Sequence, residues 1–69
     1  MKLNAKQVNA LKAAIEGNND TKSLYNRLEW DKPKTVRLNI IEKDVIECLS
    51  ESEYHSDNNR KFFKLLCGR

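Results

Sequence analysis

The sequence predicts a mainly α fold in one small domain over residues 1–69, with three helices in a row and a fourth at the C-terminal end. Three observations carry this. Apolar residues recur at helical spacing in several separate stretches, capping residues stand ahead of them, and the breaks between them are polar. At 69 residues the chain is close to the smallest size at which one core holds a fold without staples. A hydrophobic share of 39% and a charged share of 33% are ordinary for such a domain and do not signal disorder.

The first helix is the plainest. Asn4 followed by Gln7 has the form of a capping box, in which the Asn side chain accepts from a first-turn amide. Val8, Leu11 and Ile15 then recur on one face, and Ala10, Ala13 and Ala14 favour helix throughout. Gly17 closes it, because glycine takes the left-handed backbone of a C-terminal cap at little cost. "GNND" is a turn.

Asp20 or Thr21 is expected to cap a short second helix, with Leu24 and Leu28 facing inward and Tyr25 beside them. It runs into "EWDKP". Pro33 has no amide hydrogen, and the first turn of a helix does not need one, so a third helix is expected to begin there. Lys32, preceding the proline, is biased toward extended backbone and marks the break.

From Leu38, the residues Ile41, Val45, Cys48 and Leu49 continue at i, i+3, i+4 spacing and predict a helix reaching about residue 50. The β-branched Val36, Ile40, Ile41, Val45 and Ile46 work against it. "SESEYHSDNN" is a polar connection. In "RKFFKLLC", Phe62, Leu65 and Leu66 are spaced for a fourth helix, with residues 57–59 available as its cap. The same stretch also alternates as a strand would, since Lys64 separates Phe63 from Leu65. The alternative is therefore a β-hairpin over residues 45–66.

Composition excludes several function classes. One histidine, two glycines and no phosphate-cradling loop leave no nucleophile with a base at a recognisable spacing, so no enzyme is expected and no catalytic residue is assigned. Cys48, His55, Asp57 and Cys67 match no compact ligand pattern, so neither a metal nor another cofactor is expected. Two cysteines outside any C-x-x-C pair are read as reduced thiols. No apolar run approaches the roughly 20 residues of a membrane span, and no signal-peptide pattern is present. The expectation is a complete, cytoplasmic chain with no membrane partner.

The placement of charge says more than the net value of +3. "KPKTVR", residues 32–37, holds Lys32, Lys34 and Arg37 with no acid among them. Residues 48–59 hold Glu51, Glu53 and Asp57 with no Lys or Arg, and Arg60, Lys61, Lys64 and Arg69 follow. A phosphate-binding face would draw on clusters such as those at 32–37 and 60–64.

Residues 3–36, with "LNAKQ", Gly17, "TKSLYNRL" and "KTVR", resemble helix-turn-helix DNA-binding domains of the LuxR-type and winged-helix families. The resemblance implies a positioning helix capped by Thr21, with Leu24 and Leu28 packed inward, and a reading helix that starts at Pro33. It implies Thr35 on phosphate, Val36 in the core, and Lys34, Arg37 and Asn39 toward the DNA. Arginine suits guanine and asparagine suits adenine in the major groove, since each makes paired hydrogen bonds there. The winged-helix form would make the hairpin over residues 45–66 its wing.

The resulting expectation is a sequence-specific regulator that binds double-stranded DNA as a homodimer through Lys32, Lys34, Thr35, Arg37, Asn39, Arg60, Lys61 and Lys64. The alternative is a small adaptor or inhibitor acting on a host protein complex, of the kind phages and mobile elements often encode. Its contact would be an apolar patch of Trp30 with Tyr25 or Phe62, or the acidic 51–57 segment acting as a phosphate mimic.

Overall fold

Two short strands and four α-helices follow one another along residues 1–68, which the computed structural model describes. They are β1 (Lys2–Leu3), α1 (Ala5–Ile15), α2 (Lys22–Arg27), β2 (Lys34–Thr35), α3 (Ile40–Ser50) and α4 (Asp57–Cys67). The mainly α class predicted from the sequence is the observed one. The elements fall into two units, Met1–Arg37 and a second beginning at Leu38.

In the first unit, α1 begins as its capping box dictates. Gln7 N donates to Asn4 Oδ1 at 2.8 Å, and Asn4 N donates to Gln7 Oε1 at 2.9 Å. Two amides that the helix itself leaves without partners are thereby satisfied. Val8, Leu11 and Ile15 are buried as their spacing requires, and with Leu3, Leu24, Leu28 and Val36 they form this unit's core.

The chain leaves α1 through Gly17, whose φ of 81° lies in the left-handed region. A Cβ there would meet no heavy atom within 4 Å, so alanine would cost backbone energy alone. Gly17→Ala is expected to destabilise by about 1–2 kcal/mol. A thermal melt should show a midpoint lower by several degrees, with the folded circular dichroism spectrum unchanged.

A single 3-10 turn, Asn19–Thr21, leads into α2. Asn18 caps this turn, its side chain accepting from Asp20 N at 2.8 Å. Thr21 stands at the N-cap of α2, one of the two positions expected, but its side chain makes no cap bond, and its buried hydroxyl donates to Asn18 O at 3.5 Å.

The third helix does not start at Pro33. Residues Lys34–Thr35 instead pair antiparallel with β1, Lys2 opposite Thr35 and Leu3 opposite Lys34. Val36 N donates to Met1 O at 2.8 Å, and Val36 is buried. Pairing with a strand distant in sequence, together with burial of Val36, outweighs proline's preference for a first helical turn. Local preference is routinely overridden in this way.

In the second unit, α3 starts at Ile40 behind a second capping box. Glu42 N donates to Asn39 Oδ1 at 2.8 Å, and Asn39 N donates to Glu42 Oε1 at 3.0 Å. Its buried face is Glu42, Ile46 and Ser50, not the Leu38–Ile41–Val45–Cys48–Leu49 stripe. Cys48 is exposed, and Ile41 is 55% exposed. The box draws the Glu42 carboxylate to the helix start, and Ile46 and Ser50 follow on that face at i+4 and i+8.

Residues 45–66 form no hairpin wing. They span the rest of α3, a short connection, and α4, which packs on α3. Ser56 caps α4 by accepting from Asn59 N at 3.3 Å, and Phe62, Phe63, Leu66 and Cys67 make one buried helical face. That face has the period of a helix, and an alternating strand would have divided it. Cys67 Sγ donates to Phe63 O at 2.9 Å. Among the described residues, no helix is long and apolar enough to cross a membrane.

Candidate nucleic-acid interface

Charge is divided unequally between the units. Residues 1–37 carry eight Lys/Arg against four Asp/Glu, and residues 38–69 carry five against six. The positive excess therefore belongs to the first unit, where the acid-free run at residues 32–37 begins inside the segment joining α2 to β2.

That segment leaves α2 at Leu28 and turns back at once. Lys32 N donates to Glu29 O at 3.3 Å, and Asp31, in the middle of the turn, has φ of 62°. Asp is one of the few residues besides glycine that tolerate this conformation. Beyond the turn, Arg27, Glu29, Lys32, Pro33 and Lys34 line a shallow cleft of about 220 Å³. Lys32 Nζ lies 3.1 Å from Glu29 Oε2, and both side chains are well exposed, so this pair adds at most about 1 kcal/mol. The cleft is thus walled by three cationic side chains and one carboxylate, a setting suited to an anionic oxygen group.

Two residues of α1 anchor the segment. Lys12 is only 5% exposed, and its Nζ donates to Tyr25 O at 3.0 Å and to Leu28 O at 2.9 Å. It also lies over the Tyr25 ring at 3.8 Å and the Trp30 ring at 5.2 Å. The ammonium therefore supplies donors to carbonyls at the end of α2, where positive charge is favoured. Aromatic faces take up much of its remaining surface. One turn earlier on α1, Asn9 Nδ2 donates to Asp31 Oδ1 at 2.7 Å and Asp31 N donates to Asn9 Oδ1 at 2.8 Å. A donor and an acceptor are needed at once, which fixes the orientation of the Asn9 amide.

Of the residues expected from sequence to meet DNA, Lys32 and Lys34 line this cleft, and Thr35 and Arg37 follow it, both exposed. None of the four is on a helix. Asn39 caps α3, and its side-chain oxygen is already used by Glu42 N. Arg60, Lys61 and Lys64 share one side of α4 and border a cleft of about 250 Å³ with Ser50 and Asp57. Asp57 is the one carboxylate of that cleft. Arg60 is paired with Asp57, and Lys64 also lines a cleft with Glu47 and Glu51.

The apolar patch expected for protein contact is only partly present. Trp30 is 48% exposed, and Tyr25 is half-buried beneath Lys12. Phe62 is buried, with its ring centroid 5.4 Å from that of Phe63, so it belongs to the core and is corrected from interface to packing residue. The large apolar side chains of α3's first turn are exposed instead, Ile40 at 74% and Ile41 at 55%.

Asn9, Lys12, Arg27 and Asp31 escaped the sequence reading. The signal for Lys12 was its place beside Leu11, on the inward side of a helix where a lysine needs a partner. Nothing in the sequence pointed to Asp31 as that helix's other contact. No family model, curated protein or solved structure matches the chain.

Proposed function

We propose that this chain is a small DNA-binding regulator that grips the phosphates of duplex DNA with the basic segment of its first unit. Lys32, Lys34 and Arg37 are the principal contacts, with Thr35 beside them and Arg27 in the cleft wall. The observation that carries the reading is the 220 Å³ cleft, whose lining gathers three cationic side chains in the unit that holds the chain's positive excess. Phosphate contacts of this kind supply affinity and register, and their strength falls as salt displaces released counterions. Asn39 and the start of α3 are left out of the contact, because the capping box occupies the asparagine. The groove would be met by strand and loop, as in β-ribbon readers. One unit of this size offers few contacts, so a homodimer with two such segments is the working form.

Duplex affinity measured across a salt series tests this. With about three phosphates engaged, log Kobs should fall with log[salt] at a slope of roughly −2.7. No binding at low salt, or binding with no salt dependence, rejects the reading.

The second reading is an adaptor that docks on another protein, and the exposure of Ile40 and Ile41 favours it. Exposed isoleucines in a first helical turn contribute little to folding and are available for contact. It replaces the first reading if a defined protein partner binds the wild-type chain but not an Ile40→Asp/Ile41→Asp variant, and DNA affinity is absent.

A further inference from the structure

We infer that Asn9 and Lys12 are positioning residues, which hold the 28–34 segment in its phosphate-binding shape before DNA arrives. The inference rests on the reading above that this segment is the DNA contact, and it says what sets the strength of that contact.

The geometry is specific. Asn9 and Lys12 are three residues apart on α1, so they project from neighbouring positions on one side of the helix. Lys12 fixes the start of the segment through the carbonyls of Tyr25 and Leu28, at 3.0 and 2.9 Å. Asn9 fixes its middle by a reciprocal pair with Asp31, at 2.7 and 2.8 Å. β2 fixes its far end through Lys34, which pairs opposite Leu3. Between these three attachments lie Glu29, Lys32 and Pro33, which line the cleft. Asp31 holds a left-handed φ of 62°, a conformation a free chain seldom keeps, and Asn9 bonds both its amide and its carboxylate there.

Neither α1 residue lines the cleft. Their effect on DNA is indirect, through the ordering entropy that an unpinned loop would have to lose on binding. The Asn9–Asp31 pair is also exposed, so its loss should leave the core alone. That separation makes the inference testable without unfolding the protein.

The test compares wild type with Asn9→Ala, and separately Lys12→Gln with Lys12→Arg, using a generic duplex at fixed low salt and amide hydrogen exchange on each chain. In Asn9→Ala, duplex affinity is expected to fall roughly tenfold, and the amides of residues 29–34 to exchange about as much faster, with α1 and α4 amides unchanged. The salt slope should stay as in wild type, because no phosphate contact is removed. Arginine at position 12 can still donate to both carbonyls, so Lys12→Arg should recover most of what Lys12→Gln loses.

Asn9→Ala binding the duplex as wild type does, or leaving the exchange of residues 29–34 unaltered, overturns the inference while the DNA reading stands. A reduced salt slope in Asn9→Ala overturns it too, since Asn9 would then be acting on a contact. Failure of the wild-type chain to bind DNA removes the proposed function and this inference with it.

Discussion

Phe63→Ala is expected to leave the chain largely unfolded at 25 °C. Phe63 heads the large side chains that are fully buried, and it lies in the middle of α4's inward face. Its ring is set edge-on to His55 at 5.4 Å and tilted against Phe62 at the same separation. Truncating a buried phenylalanine costs about 3–5 kcal/mol, as lost transfer energy plus the cavity left behind. A domain of this length has only about 3–10 kcal/mol of stability in total, so the loss removes most of it. Urea titration followed by circular dichroism should show either no cooperative transition or one shifted far toward zero denaturant. Phe63→Leu, which keeps much of the volume, should retain a clear transition. An alanine variant with a midpoint near wild type would mean that the ring is not a packing element of the fold.

Phe63 also shows where the sequence misled, since helical spacing named Phe62, Leu65 and Leu66 for α4's inward face, whereas Phe63 is fully buried and Leu65 is 68% exposed. Helical spacing found the inward faces of α1 and α2 because their apolar residues keep one consistent phase and fill most of the inward positions, Lys12 being the exception on α1. The capping box at Asn4 was legible for the same reason, since its two residues act on each other within one turn. In α3 both conditions failed. Leu38, Ile41, Val45, Cys48 and Leu49 formed an apolar stripe, yet the buried face is set by Glu42 and Ser50 with Ile46 between them. A charged residue at an inward position carries no hydrophobic signal, and its burial follows from a bond to Asn39.

The start of α3 was misplaced because Pro33 and Asn39 both carry start signals, and what decided between them was strand pairing to residues more than thirty positions earlier. A local pattern holds no information about such a partner. The basic segment was legible as composition, in "KPKTVR", but its shape was not. That shape depends on Asn9 and Lys12, two polar residues whose partners lie 22 and up to 16 positions further along the chain. Helix periodicity puts Lys12 on the inward side of α1 but names no partner for it or for Asn9.

Reversing two lysines of that segment, Lys32→Glu with Lys34→Glu, is expected to abolish useful DNA affinity, lowering it by roughly a hundredfold at low salt. Both side chains are exposed, and Lys32 makes only a surface pair with Glu29, so the fold should be retained. The informative comparison is Lys61→Glu with Lys64→Glu, also at exposed positions. Each double variant changes net charge by four, from +3 to −1, so any effect of the overall field on a polyanion is the same in both. What differs is where the charge sits. The α4 cleft, like the Lys32–Lys34 cleft, has one carboxylate against three cations, but Lys64 also lines a cleft with Glu47 and Glu51, and the second unit has no positive excess. The first variant should therefore lose both affinity and about two units of salt slope, and the second should lose affinity only as far as net charge requires. Equal losses in the two would show that the chain meets DNA through diffuse charge and has no phosphate seat at residues 27–34. A larger loss in the α4 variant would move the contact to the second unit.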